Sequence, residues 1–172
     1  MTYKHWLGIA GLTALCLPAA AGADWRFTKW AMPLDEVVRG GKSLQVGEIE
    51  DDPDERLGSL QRLAQGESTE AGIEVRVYFY FSARAKQLQL IRFAPKTKIS
   101  CFDIEKALVA EHGQGKAKSS EQELDDGRGG KVHFTMQQRK WGGGSKDLIG
   151  FEHAMSGKTS LDVCPWYVKP AE

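Results

Sequence analysis

The sequence has four histidines, of which His5 lies in the N-terminal segment interpreted below as a signal peptide. The other three, His112, His133 and His153, are the side chains best suited to acid–base chemistry. An imidazole titrates near neutral pH and also ligates metal ions. His153 follows Glu152, but neighbours along a strand point to opposite faces of a sheet, so these two do not form an acid–base couple. His133 and His153 lie on different predicted strands, which leaves a metal pair, or a small hydrolase using either histidine, as alternatives. The simpler interpretation is that all three are ordinary polar side chains.

Other sequence motifs that would indicate a catalytic or ligand-binding site are absent or weak. The sequence contains neither Gly-x-Ser-x-Gly nor His-Glu-x-x-His. "DDGRGGKV" (125–132) lacks the spacing and the Ser/Thr of a phosphate loop, and "WGGGSK" (141–146) has the composition of a hairpin turn. "EIEDDPDE" (48–55) admits a weak calcium site, but a solvated loop is the simpler interpretation. We therefore predict no catalytic residue, no metal ion and no cofactor.

The first residues indicate export. Residues 1–23 combine a weakly positive start, an apolar run over 6–17 and small residues before a cleavage point after Ala23. The apolar run is shorter than the roughly 20 residues that span a membrane. A lipid anchor at Cys16 is disfavoured, because leucine precedes it instead of glycine or alanine. We predict a cleaved signal peptide, a periplasmic location and one domain over residues 24–172.

The charge balance limits the classes of partner. The chain has 23 basic and 23 acidic residues and a formal net charge of +0. Binding to nucleic acid requires a basic surface that neutralises phosphates. We therefore predict no nucleic-acid binding and no stable membrane insertion.

Two cysteines, Cys101 and Cys164, remain after the signal peptide is removed. In an exported protein an even pair indicates one disulfide. A metal site would need two more ligands nearby, and redox pairs are usually spaced Cys-x-x-Cys. We predict a structural disulfide between the two.

The clearest structural signal is an alternating strand over residues 73–82, "IEVRVYFYFS". Residues 83–86 provide a turn, and 87–95 return as a partner strand. Three further strands are predicted near the end of the chain, over 131–141, 146–155 and 159–168.

Two short helices are predicted. Pro33 suits the first turn of one, which Gly40 and Gly41 end. It is too short to be stable alone, so Trp30 is predicted to act as its structural anchor, assisted by Met32 and Leu34. The second helix covers 101–112, with Ser100 as its cap and Gly113 at its end.

The remaining segments carry weak signals. Residues 42–71 are predicted as a weak helix or loop, with a turn at 66–72, and 114–130 as a polar connection. The order helix, strands, helix, strands predicts an α+β fold. In it an antiparallel sheet has both helices packed on one face.

These motifs resemble those of small exported bacterial domains related to the beta-lactamase inhibitor protein and to a small lipoprotein of the outer-membrane barrel-assembly machinery. "FTKWAMPLDEV" (27–37) is similar to their helix-opening Trp-Gly-Met-Ser/Thr motif. "CFDIEKALVAEHG" (101–113), "DLIGFEH" (147–153) and "DVCPWYV" (162–168) resemble their second helix and closing strands.

The resemblance covers most of residues 25–168. It departs at Ala31, where the motif has glycine, and at Pro33, where it has Ser or Thr. Because such scaffolds serve as inhibitors, assembly factors and other modules, it implies the fold more strongly than the function.

The most specific functional prediction concerns one face of the predicted strand 73–82, which has the residue types of a protein-binding surface. Tyr78 and Tyr80 point away from its valine and phenylalanine face, beside Arg76. Tyrosine and arginine are enriched in protein interfaces, although ordinary cross-strand pairing on a wet face is the simpler interpretation. We predict a non-enzymatic periplasmic domain that binds an envelope or periplasmic protein through these three residues, as an inhibitor, immunity or envelope-assembly protein. A small-ligand carrier remains an alternative and would need an apolar cavity between sheet and helices.

Overall fold

The computed structural model describes most of the chain after the predicted signal peptide; residues 1–23 lie outside the described part. The described residues are 25–125, 130–143, 146–156, 159–160 and 164–171. In them the fold is α+β, with two α-helices and an antiparallel sheet, as predicted.

The elements follow the chain in the order helix, strands, helix, strands. Their bounds are α1 (Leu34–Gly40), β1 (Gly47–Glu48), β2 (Leu60–Glu70), β3 (Ile73–Ser82), β4 (Leu88–Pro95), α2 (Cys101–His112), β5 (Lys116–Asp125), β6 (Lys131–Gly143), β7 (Lys146–Ser156), β8 (Thr159–Ser160) and β9 (Trp166–Lys169). Two short 3₁₀ turns, Gly41–Leu44 and Pro53–Glu55, flank β1.

The sheet has two halves that meet at the last strand. Its order in space is β1-β2-β3-β4-β9-β7-β6-β5, with β8 paired to β7. β9 pairs with β4 on one side, through Ile91 and Val168, and with β7 on the other, through Phe151 and Trp166. The final four-residue strand therefore joins two sets of strands that are separate along the chain.

The helices cover one face of this sheet, which we call the helix face. Val75, Val77, Phe79 and Phe81 of β3 point to it and are fully buried. Both helices contribute to the same core: α1 through Val37 and α2 through Ile104 and Leu108. We call the opposite side, toward which the alternate residues of each strand point, the far face.

The predicted features of α2 are confirmed. The Ser100 hydroxyl accepts a hydrogen bond from the backbone N–H of Asp103 at 3.1 Å, which satisfies one of the free donors at the helix start. Gly113 follows the last helical residue with a φ of 81°, a conformation that glycine adopts without strain.

The prediction for residues 42–71 is wrong, because Leu60–Glu70 form β2, and the predicted turn at 66–72 is shorter. A β-bulge explains the misleading pattern. Leu63 is the extra residue in the pairing with β3, so it and its neighbour Ala64 are both buried. A bulge interrupts the two-residue alternation that identifies a strand, and the leucine spacing then imitates a helix.

Two further predictions need correction. Residues 114–130 are predicted as a connection, but Lys116–Asp125 form β5 at the edge of the sheet. β5 lies outside the core and has no apolar alternation to reveal it. Within the predicted strand over 159–168, the described residues form β8 on β7 and β9 at the centre of the sheet, and residues 161–163 lie outside the described part.

The predicted disulfide is present. Cys101 and Cys164 are bonded, with their Cα atoms 5.7 Å apart. The bond connects the first residue of α2 to the segment that leads into β9, so it ties the helix to the centre of the sheet.

Replacing both Cys101 and Cys164 with alanine should lower the free energy of unfolding by about 3 to 4.7 kcal/mol, because the bond closes a long loop in the unfolded chain. Urea unfolding of the purified domain measures the change. As a control, intact mass after alkylation without reduction should show neither thiol alkylated in the wild type. Alkylation of both would contradict the disulfide.

Candidate functional site

The histidines predicted as a possible metal pair are held apart. His153 on β7 lies opposite Gln137, whereas His133 is four residues away on β6, about 13 Å along the strand. The two histidines therefore do not form the metal pair that the sequence leaves as an alternative. In the described part of the chain, no group of three or more His, Cys, Asp or Glu side chains is arranged to hold a metal ion.

The two histidines also differ in their surroundings. His153 is fully buried, and its ring lies 4.6 Å from that of Phe102 on α2. His133 is exposed, and its Nδ1 lies 3.5 Å from Oε2 of Glu123 on the neighbouring strand. His153 is thus shielded from a substrate in water, while His133 is a surface residue next to one carboxylate.

The far face carries a continuous row of paired residues across six strands. It runs through Tyr78, Arg92, Tyr167, Gly150, Lys140 and Lys116, which belong to β3, β4, β9, β7, β6 and β5. We call these six residues the central row. Because side chains of directly paired residues share a face, the row places two tyrosines and three cations side by side.

Arg92 is the second residue of the central row and lines a groove. The groove has a volume of about 360 Å³ and is lined by Leu57, Leu90, Arg92, Glu152, Pro165, Tyr167 and Lys169. Arg92 is half-buried, with a tyrosine paired to it on each side. Among the described residues, no carboxylate forms an ion pair with its guanidinium. Glu152, the acid in the groove, accepts hydrogen bonds from Tyr167 and Gln138, at 3.3 and 3.4 Å.

Gly150 gives Tyr167 its position. A Cβ at Gly150 would collide with the ring and hydroxyl of Tyr167, so that ring crosses β7 over the glycine backbone. The hydroxyl thereby reaches Glu152 at the next far-face position. Glycine is used here for close approach of a side chain.

Tyr78 is paired with Arg92 on the neighbouring strand and lies outside the lining of the groove. The guanidinium of Arg62 lies 4.7 Å from the centre of its ring, a cation–π contact, and also pairs with Glu55 at 3.3 Å. A hydrogen bond to Tyr78 raises the pKa of Arg76, which lies two residues before it on β3. Two arginines thus bracket Tyr78.

Arg76 belongs to a more exposed charge network. It lies opposite Glu67 on β2, and Lys96 binds the same carboxylate at 2.8 Å. The hydrogen bond from Lys96 lowers the pKa of Glu67. Because these side chains are solvated, the network contributes little to stability.

The expectation that Tyr80 lies on an open surface is wrong, because it is 1% exposed. It is paired with Arg62 and Leu90, and the segment before β2 brings Leu57 to the same groove as Leu90. That segment folds back onto the far face, where the sequence predicts open sheet. Tyr78 keeps partial exposure, and Arg76 is exposed.

The residues predicted from the sequence do not include Arg92, Tyr167 and Lys140. Arg92 interrupts the apolar strand "LQLIRFAP", which is a usable signal because a lone arginine there must leave the core. The row itself gave no signal, because it depends on β9 pairing between β4 and β7.

No protein-family model, curated protein or solved structure matches this chain. The resemblance to exported bacterial domains therefore stays a prediction. Within the described residues, no helix has the length and apolar character needed to cross a membrane.

Replacing Gly150 with alanine should destabilise the domain by about 1 to 3 kcal/mol, because the added methyl group overpacks against the Tyr167 ring. Chemical unfolding measures this change. Gly47→Ala is the matched control, since a Cβ at that position on edge strand β1 has no atom within 4 Å. Equal stability of the two variants would contradict the position given for Tyr167.

Proposed function

We propose that this chain is a non-enzymatic periplasmic binding domain that holds an acidic segment of another envelope or periplasmic protein on its far face. The observation that carries the proposal is Arg92, a half-buried cation between Tyr78 and Tyr167 that has no ion-pairing carboxylate among the described residues. A partly buried charge without a counter-charge is costly, and a carboxylate from a partner would offset that cost.

The rest of the central row favours the same partner chemistry. Lys116 lies directly opposite Lys140 across β5 and β6, and like charges in this arrangement destabilise a sheet. Neither lysine forms an ion pair with another described residue. Arg92 and Lys140 are three strands apart, about 14 Å at the usual strand spacing. An acidic segment running across the strands could pair with both.

The tyrosines would supply the apolar part of the contact. Tyr78 and Tyr167 flank Arg92, and rigid aromatic rings beside an arginine are the residues that dominate binding energy in protein interfaces. Lys169 and Leu90 line the same groove as Arg92, so two cations and apolar side chains stand there beside the single carboxylate of Glu152. An inhibitor, an immunity protein or an envelope-assembly factor could each use such a surface.

The periplasmic location rests on two observations. The first is the signal-like sequence of residues 1–23. The second is the Cys101–Cys164 disulfide, a bond that persists in oxidising compartments.

A photo-crosslinking side chain placed at Tyr78 should yield an adduct with an acidic protein in intact cells. Phe102 is the control position, because it is 47% exposed but lies on α2, against the helix face. Arg92→Gln should remove the Tyr78 adduct, whereas Arg84→Gln, in the exposed turn after β3, should leave it. Adducts from position 102 alone, or an adduct unaffected by Arg92→Gln, would contradict the far-face site.

Replacing Lys140 with glutamate should raise the stability of the domain and weaken its binding to the partner. The change places a carboxylate directly opposite Lys116 on the neighbouring strand and should stabilise the domain by about 0.2 to 1 kcal/mol. The same change should weaken capture of the acidic partner, because the row loses a cation and gains an anion. Thermal unfolding and quantitative capture measure the two effects. Lys106→Glu on α2 is the control, and unchanged capture by the Lys140 variant would argue against the row as the contact.

A further inference from the structure

A second concavity lies on the helix face, remote from the central row. It has a volume of about 440 Å³, within the usual size range of small-molecule sites. Its lining comes from the N-terminal segment, the end of α2 and the strands β6, β7 and β9: Trp25, His112, Trp141, Gly142, Asp147, Ile149 and Val168. We call it the tryptophan cleft.

The walls of the tryptophan cleft are fixed by contacts from separate elements. The indole N–H of Trp141 donates to the carbonyl oxygen of Gly113, just after α2, at 2.7 Å. The indole N–H of Trp30 donates to Oδ1 of Asp147 at 2.8 Å. Trp25 packs its ring against Phe79 and Phe93, with ring centres 6.0 and 5.5 Å apart. The cleft is therefore largely preformed, which reduces the ordering cost of binding.

The pairing of β6 with β7 brings the carboxylate close to the Trp141 indole. Gly142 follows Trp141 with a φ of 79°, and a Cβ there would collide with the backbone carbonyl of Asp147. Asp147 and Trp141 thus lie on adjacent strands at the same end of the sheet. Trp30 holds one carboxylate oxygen in place, which fixes the direction of the negative charge.

From this chemistry we propose that the tryptophan cleft binds a small organic cation, an ammonium group on an apolar body. Among the described lining residues, Asp147 is the one acid, and there is no lysine or arginine. The guanidinium of Arg26 lies outside this lining, 5.6 Å from the centre of the Trp25 ring, so the Trp141 ring and the Asp147 carboxylate are the main contacts for a cation. The faces of indole rings attract cations, particularly those with a quaternary ammonium group. Ile149 and Val168 offer an apolar floor for the rest of the ligand.

The charge of its lining gives the tryptophan cleft a different ligand preference from that proposed for the far face. The central row presents Arg92, Lys140 and Lys116 and would repel a cation. The tryptophan cleft presents a carboxylate and aromatic rings and would disfavour an acidic segment. The two sites therefore take ligands of opposite charge on opposite faces of one sheet.

Choline and its neutral isostere 3,3-dimethyl-1-butanol are suitable probes, because they match in shape and differ in charge. Choline should shift the indole N–H resonances of Trp25 and Trp141 in a saturable manner, and the isostere at the same concentration should not. Asp147→Asn should weaken choline binding about fivefold or more. The asparagine amide oxygen can still accept from Trp30, so the Trp30 resonance checks that the fold is retained.

Glu36→Gln is the control, since it removes the same charge from an exposed position on α1 that does not line the cleft. It should leave choline binding unchanged. Equal binding of the isostere, equal binding by the Asp147 variant, or no saturable shift with either probe would each overturn the cation assignment. None of these outcomes bears on the far face, whose test uses a different variant and an acidic partner.

Discussion

The pairing of β9 between β4 and β7 is the constraint on which the rest of this molecule depends. Four residues, Trp166–Lys169, join two sets of strands into one sheet. Trp166 and Val168 complete the core beneath the helices, while Tyr167 between them completes the central row. The disulfide at Cys164 reduces the entropy lost when this short strand docks, because it ties the preceding segment to α2.

The two-residue period of a strand makes one sheet present two chemically different surfaces. On the helix face the sheet and the N-terminal segment place Trp141, Trp25 and Asp147 around a cleft. On the far face the alternate positions place Arg92 and Lys140 in a row with two tyrosines. A net charge near zero conceals this separation, since composition records the sum of the charges and not the side on which each lies. The overall balance therefore excludes less about partners than it first suggests.

The sequence predicted the elements whose signal is local. β3 alternates without interruption, α2 has its own cap and end, and only two cysteines follow the predicted signal peptide. β2 was missed because the bulge at Leu63 is defined by its partner strand. β5 was missed because an edge strand outside the core needs no apolar pattern. Of the three residues chosen for the site, Tyr78 and Arg76 keep surface exposure, whereas Tyr80 is covered.

The sequence by itself determined the class of fold, the central hairpin of β3 and β4, the capped helix α2 and the identity of the disulfide. The first three depend on residues close together in the chain, and the disulfide depends on there being only two cysteines after the predicted signal peptide. Tertiary structure alone decided that His133 and His153 are apart, that Tyr80 is buried, and that Arg92 stands between two tyrosines. Those arrangements follow from strand register and strand order, which bring together residues far apart in sequence. A local pattern specifies which face a side chain takes, but only long-range pairing specifies its neighbours on that face.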